Sequence, residues 1–181
     1  SDLLLSIATA KWKDRNARDE ITDFVDNINN IGDGFRFSKD LVLKSCLVLS
    51  DIKDIAFKVD NFNNENMAKI EKNWLDIKKA LKLAIKLVSA FGYNYKTLVS
   101  SNALIPIAYY LKRNGNPKSF IGGMKHKKER KYLKKWLLVS LVKRSFSGTP
   151  DNVIRPIREI IKSNGSKNFP LKEIIERFEA T

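Results

Sequence analysis

The sequence predicts an all-α protein, an irregular bundle of seven or eight helices around one long central helix at about residues 64–90. Three observations lead there. Apolar residues recur at helical spacing along most of the chain. No strict apolar–polar alternation runs long enough to propose a sheet. Gly and Pro number only 8 and 5 in 181 residues, and they cluster in a few places that punctuate the helical runs. The length suits one domain, 1–181, and 43% hydrophobic residues supply a core of useful size.

The elements follow in order. Asp2 can cap a short apolar turn over 3–10. So abrupt an opening predicts that the chain is a piece of a longer protein. A second helix over about 16–31 places Ile21, Phe24, Val25 and Ile28 on one face, and Gly32 and Gly34 end it. Ser38 is a good N-cap for a third, with Leu41, Val42, Cys46 and Leu49 inward. The stretch 52–62 reads either as a helix end or as an extended piece leading to an Asn-rich turn. Met67, Ile70, Trp74, Ile77, Leu81, Ala84 and Val88 then alternate spacings of three and four, a single stripe over about seven turns. Lys69, Lys72, Lys79, Lys82 and Lys86 fall largely off that stripe, and Gly92 closes the helix. A fifth helix starts at Ser101 or Asn102 with Pro106 in its first turn. Residues 114–124, with Gly115, Pro117, Gly122 and Gly123, form a loop. A sixth helix covers about 127–145. A seventh starts at Thr149 or Asp151, with Pro156 in its first turn or at a kink, and ends at Gly165. Phe169-Pro170-Leu171 opens an eighth, with Ile174, Ile175 and Phe178 apolar. No repeat of fixed period is present.

The charge is strongly uneven. Thirty-four Lys and Arg against 20 Asp and Glu give the chain +14. Residues 112–147 hold twelve basic residues and one acid, Glu129, so +11 of the +14 lies in one loop and one helix. In that helix Leu133, Trp136, Leu137, Ser140 and Leu141 share one side. Lys127, Lys128, Lys131, Lys134 and Lys135 occupy much of the rest, and Lys143 and Arg144 sit at the negative end of the helix dipole. The plain reading is a solvated face whose lysine stems cover apolar neighbours. The sharper reading is a phosphate-binding surface of Lys118, Lys125, Lys127, Lys128, Arg130, Lys131, Lys134, Lys135, Lys143 and Arg144. Duplex DNA presents one charge per about 1.7 Å, so a lysine row meets many phosphates at once. Such contacts position a protein without telling it the sequence. An acidic protein surface, including another domain of the same protein, is the third reading. Anionic lipid is disfavoured because the apolar face is needed for the core.

Composition narrows the chemistry. One cysteine, Cys46, excludes an internal disulfide framework and fits a reducing cytoplasm. With one histidine, His126, it also excludes the usual His/Cys zinc sites. No apolar run approaches the roughly 18 residues of a membrane span, and no secretory leader is visible. His126 lies between two lysines with no carboxylate near it in sequence, and reads as an exposed polar residue at a helix start. Cys46 reads as a core residue. Asp51, Asp54 and Asp60 lack EF-hand spacing and read as turn and surface acids. No Walker or dinucleotide pattern occurs. Gly122-Gly123 is a flexible connection, although two glycines beside Lys125 could let backbone approach a phosphate. Tyr93, Tyr95, Tyr109 and Tyr110 could stack on bases, but core or interface packing is the favoured role. No cofactor or metal is expected.

Several stretches together resemble GmrSD-type proteins, the modification-dependent restriction endonucleases and their relatives. They are Ser1-Asp2-Leu3-Leu4-Leu5-Ser6, Phe37-Ser38-Lys39-Asp40-Leu41-Val42-Leu43-Lys44, the Trp74 helix, Ser101-Asn102-Ala103-Leu104-Ile105-Pro106-Ile107-Ala108-Tyr109-Tyr110, and the turns Phe146-Ser147-Gly148 and Phe169-Pro170-Leu171. The resemblance covers nearly the whole chain and consists of core and turn residues. In that family an N-terminal ParB/sulfiredoxin-like domain carries an Asp-Gly-Gln-Gln-Arg type nucleotide motif, and a C-terminal domain carries an HNH nuclease motif. Neither occurs here: Asp33-Gly34 is followed by Phe35 and Arg36, and no His pairs with an Asp. The resemblance therefore implies the helical middle or C-terminal region of an NTP-dependent endonuclease, with no catalytic residue carried over.

The expectation is a non-catalytic module of a DNA-targeting restriction or defence protein. Its partners would be DNA, through backbone contacts, and other domains of the parent. The alternative is an interdomain or protein-interaction scaffold without nucleic acid. A hidden enzyme is the third possibility.

Overall fold

The computed structural model describes residues 2–165 and 168–179 and is all-helical, with no strand among the described residues. In order the helices are α1 (Asp2–Thr9), α2 (Ala17–Asn29), α3 (Lys39–Leu49), α4 (Asn64–Ala90), α5 (Leu104–Arg113), α6 (Lys127–Val142), α7 (Asp151–Ser163) and α8 (Leu171–Glu179). Ser1, which opens the family-like segment, lies outside the described residues.

The central helix is α4. Its 27 residues span about 40 Å at 1.5 Å each. All seven residues of the expected stripe are at most 1% exposed. Asn63 caps its start by accepting the Asn66 N–H at 2.8 Å, and Gly92 follows its end at φ +95°. Packing is closest against α5, with α3 and α2 also in contact. Because neighbours meet it on several sides, Ala80, Leu83, Ile85 and Leu87 are buried beside the stripe. In α5 every residue from position 104 to position 111 is buried, so this helix runs through the interior. The 3-10 turn Ser101–Ala103 leads into it, and Pro106 is its third residue.

Trp74 joins α1 and α2 to α4. Trp12 and Phe24 meet its ring edge-on, at centroid distances of 5.4 and 5.6 Å. Its Nε1–H donates to Glu20 Oε2 at 2.8 Å, and Lys78 Nζ donates to the same oxygen at 2.9 Å. These hydrogen bonds hold the Glu20 carboxyl below its ordinary value of 4.5. A depressed folded-state pKa stabilises the fold above the unfolded value, and the contribution is lost as pH falls through the folded one. Glu20→Gln is therefore expected to flatten the fall in thermal midpoint below about pH 4.5, read by circular dichroism across pH.

Three sequence expectations are corrected. The sixth helix stops at Val142 rather than near 145, because Arg144 adopts φ +51° and folds the chain back. Pro156 is the sixth residue of α7, inside the helix rather than in its first turn. The stretch 52–62 is neither helix end nor strand; it ends in a 3-10 turn, Val59–Phe62. Arg158, 4% exposed, fixes α7 over it, donating to the Ile52 carbonyl at 2.8 Å and the Lys53 carbonyl at 3.4 Å.

Candidate nucleic-acid interface

The amphipathic split of α6 is real. Leu133, Trp136, Leu137, Ser140 and Leu141 are buried, with Trp136 edge-on to Phe146 and Phe169. Lys127, Lys128, Lys131, Lys134 and Lys135 are exposed, as are Lys118, Lys125, Lys143 and Arg144. Among the described residues, Lys143 alone of these nine is in an ion pair, reaching Glu179 at 4.0 Å. Two are held over aromatic rings instead. Lys128 Nζ lies 5.6 Å from the Tyr132 ring centre, and Lys134 Nζ lies 5.8 Å from that of Phe91.

The tenth candidate, Arg130, has a different task. It is half-buried, and its Nη1 donates to the Phe120 carbonyl at 2.8 Å and the Gly123 carbonyl at 2.7 Å. Arg130 thereby clamps the loop before α6 onto the helix. At Gly123 an added Cβ would sit 2.6 Å from the Ser119 carbonyl oxygen. The glycine is needed for that close approach, so this is a tightly packed turn rather than a flexible connection. The loop also reaches α4, where Asn116 Nδ2 donates to the Asp76 carbonyl at 3.2 Å. Loop 114–126 thus ties α4 to α6.

Glu129, the one acid of the region, is 7% exposed. Its carboxylate accepts the Phe169 N–H and the Tyr110 hydroxyl. It anchors the entry to α8 and does not offset the surface lysines as a solvated neighbour would.

Arg144 closes α6. Its N–H bonds to the Leu141 carbonyl, and the Ser145 N–H bonds to the Ser140 carbonyl, the Schellman arrangement that usually carries glycine at the left-handed position. A non-glycine residue there costs on the order of 1 kcal/mol. Arg144→Gly is expected to raise the thermal midpoint slightly while weakening polyanion binding, checked by melting and by anisotropy. A loss of stability with unchanged binding would make Arg144 a structural residue only.

The remaining candidates are absorbed by structure. His126 is the half-buried N-cap residue of α6, its ring 4.9 Å from that of Phe120, so it is less exposed than expected. Cys46 is fully buried, which pushes its thiol pKa up. Asp51 accepts the Tyr109 hydroxyl at 2.7 Å. Tyr109 and Tyr110 are 1% and 2% exposed, which removes both as stacking platforms. Tyr95 is 40% exposed, but Arg36 lies over its ring at 4.4 Å. Among the described residues no three of His, Cys, Asp and Glu come together as a metal site, and no helix is long and apolar enough to cross a membrane.

The sequence reading overlooked Lys79, Lys82 and Lys86 of α4, which share a groove with Lys118. Spacings of three and four were visible, but nothing local showed that the loop would fold against them. No protein-family model matches the chain, and no curated protein matches it.

Proposed function

We propose that this chain is a non-catalytic helical module that binds nucleic-acid backbone through α6 and the loop before it, within a DNA-targeting restriction or defence protein. The observation that carries the binding reading is the state of the lysines. Eight exposed cations, Lys118, Lys125, Lys127, Lys128, Lys131, Lys134, Lys135 and Arg144, stand without a carboxylate at salt-bridge distance among the described residues. The region's single acid is buried on other duties. Such a face repels itself and gains from a polyanion that releases counterions on binding. The absence of a catalytic role is proposed on the uses found for His126 and Cys46, both committed to packing.

The restriction or defence context rests on the resemblance alone. In the fold those segments serve the core: Ser38 caps α3 by accepting the Leu41 N–H at 3.2 Å, and Ala103, Tyr109, Phe146 and Phe169 are buried. They speak for architecture rather than activity.

A protein partner is the second reading, favoured by Leu138 and Val142. These lie in the C-terminal half of α6, 55% and 73% exposed, where phosphates offer them nothing. Salt titration of binding to labelled duplex DNA tests the first reading. Four lysine contacts give a slope of log K against log salt near −3.6, from about −0.9 per contact. A slope near zero removes the reading.

A further inference from the structure

We infer that the groove between α4 and loop 114–126 is a second track for the phosphate backbone, continuing the α6 stripe onto the central helix. This rests on the nucleic-acid reading above and extends it to residues on another element. Lys79, Lys82 and Lys86 line one side of the groove and Lys118 the other, with Leu83 and Ile121 between them. Leu83 is 9% exposed and Ile121 half-buried, so they form the floor while the ammonium groups stand at the rim.

The spacing suits a repeating polyanion. Positions 79, 82 and 86 fall within about 60° of one another around the helix axis. They cover about 10.5 Å of helix at 1.5 Å per residue. One strand of a duplex places a charge every 3.4 Å of axis, so the row faces about three phosphates. The apolar floor suits sugar faces. One carboxylate, Asp76, lies 3.7 Å from Lys79; both side chains are exposed, and such a pair is weak enough for a phosphate to displace.

The groove is joined to α6 on its far side. Lys134 lies over Phe91, the residue that caps the C-terminus of α4 five positions beyond Lys86. Arg130 holds the loop carrying Lys118 and Ile121 against α6. A ligand contacting Lys127, Lys131 and Lys134 is thereby led toward Lys86. Uniform positive charge at regular intervals favours a nucleic acid over an acidic protein surface, whose carboxylates are irregularly placed.

The test compares the full chain with K79A/K82A/K86A and with an α6 variant lacking Lys127, Lys131 and Lys134. Binding of a short labelled duplex is measured by anisotropy across salt, with poly-glutamate as a competitor and circular dichroism as the folding control. The α4 triple is expected to make the salt slope shallower by about 2.7 and to weaken binding several-hundred-fold at about 0.1 M salt, if all three contacts are made. An α4 triple that binds like wild type, while the α6 variant loses slope, overturns the second track and leaves the α6 reading standing. A wild-type slope near zero overturns both. Poly-glutamate that displaces the duplex at equal charge concentration assigns the groove to an acidic protein partner and overturns the inference.

Discussion

Alanine in place of Trp74 is expected to destabilise the protein by about 3–5 kcal/mol, the range for removing a large buried aromatic. In a chain of this size that corresponds to a fall of about 6–20 °C in thermal midpoint. Trp74 is 0% exposed and touches rings from two other segments, Trp12 and Phe24. The cavity would open where α1, α2 and α4 meet, and backbone from three elements cannot collapse together to fill it. The indole also donates to Glu20, so part of the loss is that hydrogen bond. Trp74→Phe separates the two terms. It keeps most of the ring, removes the donor, and should cost about 1–3 kcal/mol through the carboxylate bond and the smaller ring together. Equilibrium urea unfolding reads both. A Trp74→Ala protein within 1 kcal/mol of wild type would mean that α4 is not the central element described here.

Replacing Lys127, Lys128, Lys131, Lys134 and Lys135 by alanine is expected to abolish retention on DNA at physiological salt. These five are exposed, and no acid pairs with them among the described residues. Their loss therefore removes little stability and relieves mutual repulsion, and alanine is the better helix former. The thermal midpoint should stay within a few degrees of wild type while the salt slope approaches zero. If the variant instead retains DNA but releases an upstream domain of the parent protein, the scaffold reading takes over. A second set, Leu138→Ser with Val142→Ser, sharpens the distinction. It should leave DNA binding unchanged and weaken only a protein partner seated on the apolar end of the same helix.

The fold was legible because its signals are local. Ser38 and Asn63 are caps because of their own side chains, and the α4 stripe is a property of spacing within one helix. The interface was half legible. A lysine-rich helix with one apolar side announces itself, but two of its members were misjudged for one reason. Arg130 and Glu129 look like solvated charges in sequence. Both are instead taken up by groups far along the chain or beyond the helix: the carbonyls of Phe120 and Gly123 for one, the Phe169 amide and the Tyr110 hydroxyl for the other. Pro156 was misplaced because a helix start at Thr149 or Asp151 leaves open how far in the proline falls.

The sequence by itself determined that the chain is helical, where its longest helix runs, and that its excess charge belongs to one loop and one helix. Periodicity, caps and charge counting act over a few residues and need no knowledge of what packs on what. Only the tertiary structure decided that the α4 lysines and Lys118 line one groove, that Glu129 is buried and that Arg144 is held in a left-handed turn. Each of those facts is set by where distant backbone comes to rest, and long-range packing of apolar faces, which many residues share, decides that.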